Sequence, residues 1–100
     1  MIKHIVLWKL KPEAKDEAAR RMRADFETLV GRVPGLLSLE ARAQENPAET
    51  AVDFALQTTH PTWEDLRAYQ THPEHVKIAG YIRTVATERR AVDYEVPEGR

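Results

Sequence analysis

The sequence predicts an α+β domain of ferredoxin-like βαββαβ order, a four-stranded antiparallel sheet with helices on one face. Three observations lead there. Period-two and helical-period segments follow one another as strand, helix, strand, strand, helix, strand, the split βαβ plan. The chain is 100 residues long, which makes residues 1–100 one domain, and it contains no tandem repeat or low-complexity tract. Its turn signals, Pro34-Gly35 and the Asn-, Pro- and Glu-rich stretch from Gln44 to Thr50, fall between the predicted elements.

The first strand runs from Met1 to Leu10. Ile2, His4, Val6, Trp8 and Leu10 point one way; Ile5 and Leu7 point the other, flanked by Lys3, Lys9 and Lys11. Apolar residues on both sides predict a central strand covered on both faces. Lys11-Pro12-Glu13 starts a helix on which Ala18, Met22, Phe26, Leu29 and Val30 recur, with Gly31 as its stop. The second strand spans 36–43, with Leu37, Leu39 and Ala41 on one side and Ser38, Glu40 and Arg42 on the other. After a hairpin loop at 44–50, the third strand spans 51–58, with Val52, Phe54 and Leu56 opposite Asp53, Ala55 and Gln57.

His60 before Pro61 reads as a turn residue. Thr62 is the N-cap of the second helical region, with Asp65 three residues on. Leu66 and Tyr69 lie on that helix. Pro73 lacks an N–H and restricts His72, so the helix breaks at His72-Pro73 and restarts with His72 near its cap. Val76, Ile78, Ala79, Tyr81 and Ile82 continue it, and Gly80 weakens its end. The fourth strand, 85–96, carries Val92, Tyr94 and Val96 on one face; Pro97 to Arg100 is a tail. Helices on one side leave the other sheet face bare. That face is expected to carry Val6 and Trp8 as well as His4, and a homodimer is expected to cover it.

Composition narrows the partners. With no Cys there is neither a disulfide framework nor a zinc-thiolate site. Fifteen Lys and Arg against sixteen Asp and Glu leave a net charge of −1, without the basic excess of a nucleic-acid binder. Arg20, Arg21 and Arg23 are interleaved with acids in pairs such as Asp16 with Arg20 and Glu17 with Arg21, which reads as a solvated helix face. No apolar run approaches the ~20 residues that span a bilayer, and the opening residues lack a signal-peptide layout. The expectation is a cytoplasmic protein that binds neither nucleic acid nor membrane.

The chemistry-bearing segment is Tyr69-x-x-His72-Pro73-x-His75. His75 falls in the first turn of a helix, where the dipole disfavours imidazolium, so its pKa is expected below about 6.5. A neutral imidazole can remove a proton alpha to a carbonyl, and a Tyr O–H can hydrogen-bond the developing enolate oxygen. The structural alternative has His72 capping the helix, His75 bonding a backbone carbonyl and Tyr69 packing. His4 is a polar anchor in a cavity or a satisfied core histidine. Asp53 holds a histidine in one tautomer or pairs with Arg42 or Arg89. Trp8 and Phe54 bound an apolar ligand pocket or pack as core aromatics. His72 is also a candidate ligand contact. The His72/His75 spacing is not a recognised metal-ligand pattern, and no metal is expected.

The opening Ile2-Lys3-His4-Ile5-Val6-Leu7-Trp8-Lys9-Leu10-Lys11, the Val33-Pro34-Gly35 turn, the Tyr69-to-His75 segment and the closing Val92-Asp93-Tyr94 together resemble the stress-responsive dimeric α/β-barrel (Dabb) domain family, over nearly the whole chain. The resemblance implies a homodimer in which two four-stranded sheets close into a dimeric α/β barrel. It also implies kinship with the plant olivetolic acid cyclase, which folds a linear polyketide by intramolecular aldol condensation without a cofactor. By that resemblance Tyr69 and His75 are the working pair, and His4 matches the first-strand histidine. Asp53 stands near the place of a further, third-strand histidine that this chain lacks.

Two functions follow. One is a cofactor-free cyclase, isomerase or similar enzyme acting on a small apolar carbonyl compound. The other is a binding or structural stress-associated dimer without turnover. They separate on whether the space beside His75 is an open pocket or is filled by side chains.

Overall fold

A computed structural model describes residues 1–97; the end of the predicted tail, Glu98 to Arg100, lies outside the described residues. The element order is β1 (Ile2–Leu10), α1 (Lys15–Glu27), β2 (Ser38–Ala43), β3 (Phe54–His60), α2 (Trp63–Thr71), α3 (Pro73–Val85) and β4 (Ala86–Glu95). The four strands form one antiparallel sheet in the order β2-β3-β1-β4. This is the ferredoxin-like arrangement, with the second helical region divided in two. Among the described residues no helix is long and apolar enough to cross a membrane.

β1 sits at the centre, and its alternation divides the molecule into two surfaces. Ile2, His4, Val6, Trp8 and Leu10 are all buried. They form the core with Ala18, Met22 and Phe26 of α1, Leu66 and Tyr69 of α2, and Ile78, Ile82 and Val85 of α3. The register pairs Val6 with Leu56 and Trp8 with Phe54, which places alternate β3 residues on this same side. Val6, Trp8 and His4 therefore face the helices, not the bare side expected from the sequence. Alternation identifies two faces but not which one the helices take, and the set with Trp8 and Leu10 has more apolar surface to bury. The open face instead carries Ile5 and Leu7, with Val92 and Tyr94 of β4 aligned beside Ile5 and Lys3. Val92 is 53% and Tyr94 40% exposed.

Several boundaries move. β3 begins at Phe54 and runs to His60, two residues past the expected end. His60 is the last strand residue, not a turn residue, and it is fully buried. The ladder carries it there: Ile2 pairs with His60, and the N–H of Leu37 donates to the Thr59 carbonyl at 2.8 Å. Val30 and Leu37, placed with the apolar sets of α1 and β2, are 58% and 57% exposed: Val30 lies in the turn after α1, and Leu37 just precedes β2, an edge strand of the sheet. Gly31 and Gly35 both have φ of +81°, the left-handed region that turns the chain from α1 toward β2. The salt links on α1 form one turn later than expected, Arg21 with Asp25 and Arg23 with Glu27.

Two caps hold as read. Thr62 Oγ1 accepts from the Asp65 N–H at 3.1 Å, and α2 ends where His72 turns to extended backbone, φ −62° and ψ 135°. Pro73 then occupies the first turn of α3. The helices do not reach over β4, whose residues from Thr87 to Glu95 are exposed. That leaves a gap between α3 and the β4 edge of the sheet.

Candidate functional site

The helix break assembles the site. Tyr69 lies in the last turns of α2 and His75 in the first turn of α3. The reversal at His72 sets their rings edge-on, with centroids 4.6 Å apart. His72 is spent on the reversal: its Nδ1 accepts from the Glu74 N–H at 3.1 Å and its carbonyl from the Val76 N–H at 2.9 Å.

Tyr69 is fully buried, with three imidazoles around it. Besides His75, the His60 ring lies 5.0 Å and the His4 ring 6.2 Å from its centroid. The three histidines differ in how their nitrogens are satisfied. His60 lies 2.9 Å from both the Gly35 carbonyl and Thr58 Oγ1. A carbonyl only accepts, so Nδ1 of His60 carries the proton and Nε2 accepts from the Thr58 hydroxyl. His4 Nδ1 lies 2.5 Å from Asp93 Oδ1 and is its donor when the carboxylate is ionised. The Nδ1 of His75, in contrast, is buried without a well-formed hydrogen bond, although the Gln70 backbone carbonyl is near enough to the ring to raise its pKa; the hydroxyl of Tyr69 is buried with no partner. Buried polar atoms without a well-formed hydrogen bond are uncommon in folded proteins, and two meet here at one ring contact.

Burial sets the protonation of these groups. It lowers the pKa of His75 below the ordinary value, helped by the charges of His4, Arg89 and His72 and opposed by the Gln70 backbone. It lowers that of His60, against the pull of the Gly35 carbonyl. It pushes the Tyr69 hydroxyl well above the usual phenol range. At neutral pH the cluster thus offers a neutral His75 and a Tyr69 that keeps its proton.

Beside His75 the gap under α3 opens into a cavity of about 460 Å³. Val6, Trp8, Phe26, Leu56 and Ile82 supply apolar wall, His4 and His75 the polar end, and Arg83 and Arg89 part of the rim. The Trp8 ring is stacked on Phe26 at 5.9 Å and tilted against Phe54 at 6.1 Å. Of the residues singled out in the sequence, His4, Trp8 and His75 line the cavity. Tyr69 packs on His75 without forming part of the wall. Asp53 lies elsewhere: its Oδ2 accepts from the Leu10 N–H at 2.8 Å, and it pairs with neither Arg42 nor a histidine. His72 is a helix cap rather than a wall residue. The carboxylate that holds a histidine is Asp93, set opposite His4 in the β1–β4 register. Asp93, His60, Arg83 and Arg89 were not among the candidate site residues: Arg89 was named as a partner for Asp53, His60 as a turn residue and Asp93 within the closing Val92-Asp93-Tyr94. Among the described residues no group of three or more His, Asp or Glu is arranged to hold a metal ion.

Residues 2–96 match the family described as Stress responsive A/B Barrel Domain. Solved structures give the same fold. A dimeric ferredoxin-like protein of unknown function from Bacteroides fragilis is 30% identical, with 95% of each chain covered and a TM-score of 0.81. A dimeric ferredoxin-like protein from Thermobifida fusca is 24% identical over 95% of this chain and 90% of that one, TM-score 0.86. The hydroxynitrile lyase of Passiflora edulis is 16% identical over 99% of this chain and 95% of that one, TM-score 0.82. No functionally curated protein matches the chain.

Proposed function

Because the chain belongs to the Stress responsive A/B Barrel Domain family, we propose that it works as a homodimeric barrel, binds a small apolar carbonyl compound in the cavity beside His75, and acts on it as a polyketide cyclase-like or isomerase catalyst using its own acid–base groups. The observation that carries this reading is that His75, with a buried Nδ1 that lacks a well-formed hydrogen bond, lines an apolar cavity, and the unpartnered Tyr69 hydroxyl belongs to the ring packed on it. An unsatisfied buried group costs about 1–3 kcal/mol, a cost that a ligand carbonyl or hydroxyl removes. The neutral His75 takes a proton from the carbon alpha to the ligand carbonyl. Tyr69, which keeps its proton, is the donor we assign to the enolate oxygen as that charge develops. Dimerisation is supported by the open sheet face with Ile5, Leu7, Val92 and Tyr94, and by the dimeric relatives from Bacteroides fragilis and Thermobifida fusca.

One feature favours the binding dimer without turnover: Tyr69 is fully buried and outside the cavity wall. The two readings separate in heavy water. Small aryl and alkyl ketones that bind beside His75 are followed by NMR for loss of the proton alpha to the carbonyl. Exchange by the wild type and none by His75→Ala supports catalysis. Ketones that bind without accelerated exchange leave the binding dimer in its place.

A further inference from the structure

The cavity has charge at only one part of its boundary. Its wall is apolar and its deep polar end is imidazole, while the rim between α3 and β4 bears Arg83, Thr87, Glu88 and Arg89. Glu88 is already engaged, with Oε1 accepting from Arg90 Nη2 at 3.5 Å. Arg83 and Arg89 make no ion pair or side-chain hydrogen bond among the described residues, although five of the chain's other basic side chains are paired. They come from different elements, Arg83 from the last turn of α3 and Arg89 from β4, and so flank the gap from both sides. Arg89 lies close enough to His75 for its charge to bear on that ring.

We propose that Arg83 and Arg89 are an anion clamp, and that the ligand is a carbonyl compound whose apolar body ends in a carboxylate. This rests on the cavity reading above and adds the class of molecule that enters. Planar guanidinium groups bind carboxylate through paired N–H donors, and they keep their charge at any working pH. With the carboxylate at the rim, the apolar body lies against Trp8, Phe26 and Leu56, and the ketone is carried inward toward His75. The two arginines thus fix which end of the molecule enters first. A neutral compound of the same shape lacks that orientation.

The test uses benzoylpropionate and its methyl ester, which share a body and differ in one charge. Both are titrated into the wild-type protein and into Arg89→Gln and Arg83→Gln variants, with the Trp8 indole and His75 ring resonances as readout. The acid is expected to bind the wild type about tenfold or more tightly than the ester, the size of a charge-assisted hydrogen bond. Either substitution is expected to remove most of that preference, and raised salt to weaken the acid alone. Circular dichroism checks that these exposed substitutions leave the fold intact, as is expected. Equal affinity of acid and ester, or a preference that survives both substitutions, overturns the clamp and leaves the cavity reading standing. No shift of Trp8 or His75 with either probe overturns both.

Discussion

His4 and Asp93 face each other across the β1–β4 ladder, with 2.5 Å between Nδ1 and Oδ1. His4 is 2% exposed, while the Asp93 side chain is one-third open to solvent. The partner therefore reaches a buried ring from the edge of the sheet. Asp93→Ala leaves a buried N–H without an acceptor. The expected loss is about 1–3 kcal/mol of unfolding free energy in urea titration. Asp93→Asn, whose side-chain carbonyl still accepts, should lose less. Equal stability of all three proteins would show that the contact does not hold the ring.

Tyr69→Phe is expected to behave in the opposite way. Its hydroxyl is buried with no hydrogen-bond partner, so removal deletes a desolvated group and little else. Unfolding free energy should stay level or rise by up to about 1 kcal/mol. Any proton exchange at a bound ketone should fall at the same time. A clear loss of stability would mean that the hydroxyl has a structural partner, and the site reading would weaken with it.

Stability should depend on pH through His60 and His75. Both have pKa values lowered by burial, so below pH 6.5 the unfolded chain binds protons that the folded chain does not. Their contribution is fully present above 6.5. It is lost as pH falls from there through their folded pKa values, with a slope of at most about 1.4 kcal/mol per pH unit for each. His75→Gln should flatten part of this slope. Denaturation curves that coincide from pH 7 down to pH 5 (about one and a half units below the free histidine value) would contradict it.

The two faces of β1 should respond differently to substitution. Ile5→Asp changes the open face and should give a folded monomer by sedimentation and circular dichroism. Trp8→Ala empties a site packed on Phe26 and Phe54, and should cost about 3–5 kcal/mol of stability whatever the oligomeric state. An Ile5→Asp protein that remains dimeric would remove this face as the interface.

What the sequence made readable was local. Period-two and helical spacing located all four strands and the first helix, and the missing N–H of Pro73 located the break between α2 and α3. Thr62 and His72 cap as their residue types and positions suggest. What it hid was relational. Asp93 lies 89 residues from His4, and only the β1–β4 register makes them partners. Asp53, of the same residue type and on a plausible strand, lies instead in the approach to β3 and accepts from the Leu10 backbone. His60 was hidden by its neighbour: Pro61 signals a turn, yet the ladder with β1 extends through the residue before it. The assignment of Trp8 to the helix side depended on which face the helices cover, a choice made by the whole chain.

The central strand writes two messages in one run of residues. Even positions, His4, Val6 and Trp8, line the cavity under the helices; odd positions, Ile5 and Leu7, belong to the outer surface. Because ladders on both sides hold the backbone, the side chains of one parity make their contacts on one face only. On the proposed reading, ligand preference and association are therefore set by substitutions one residue apart, the first at Val6 and the second at Ile5 and Leu7.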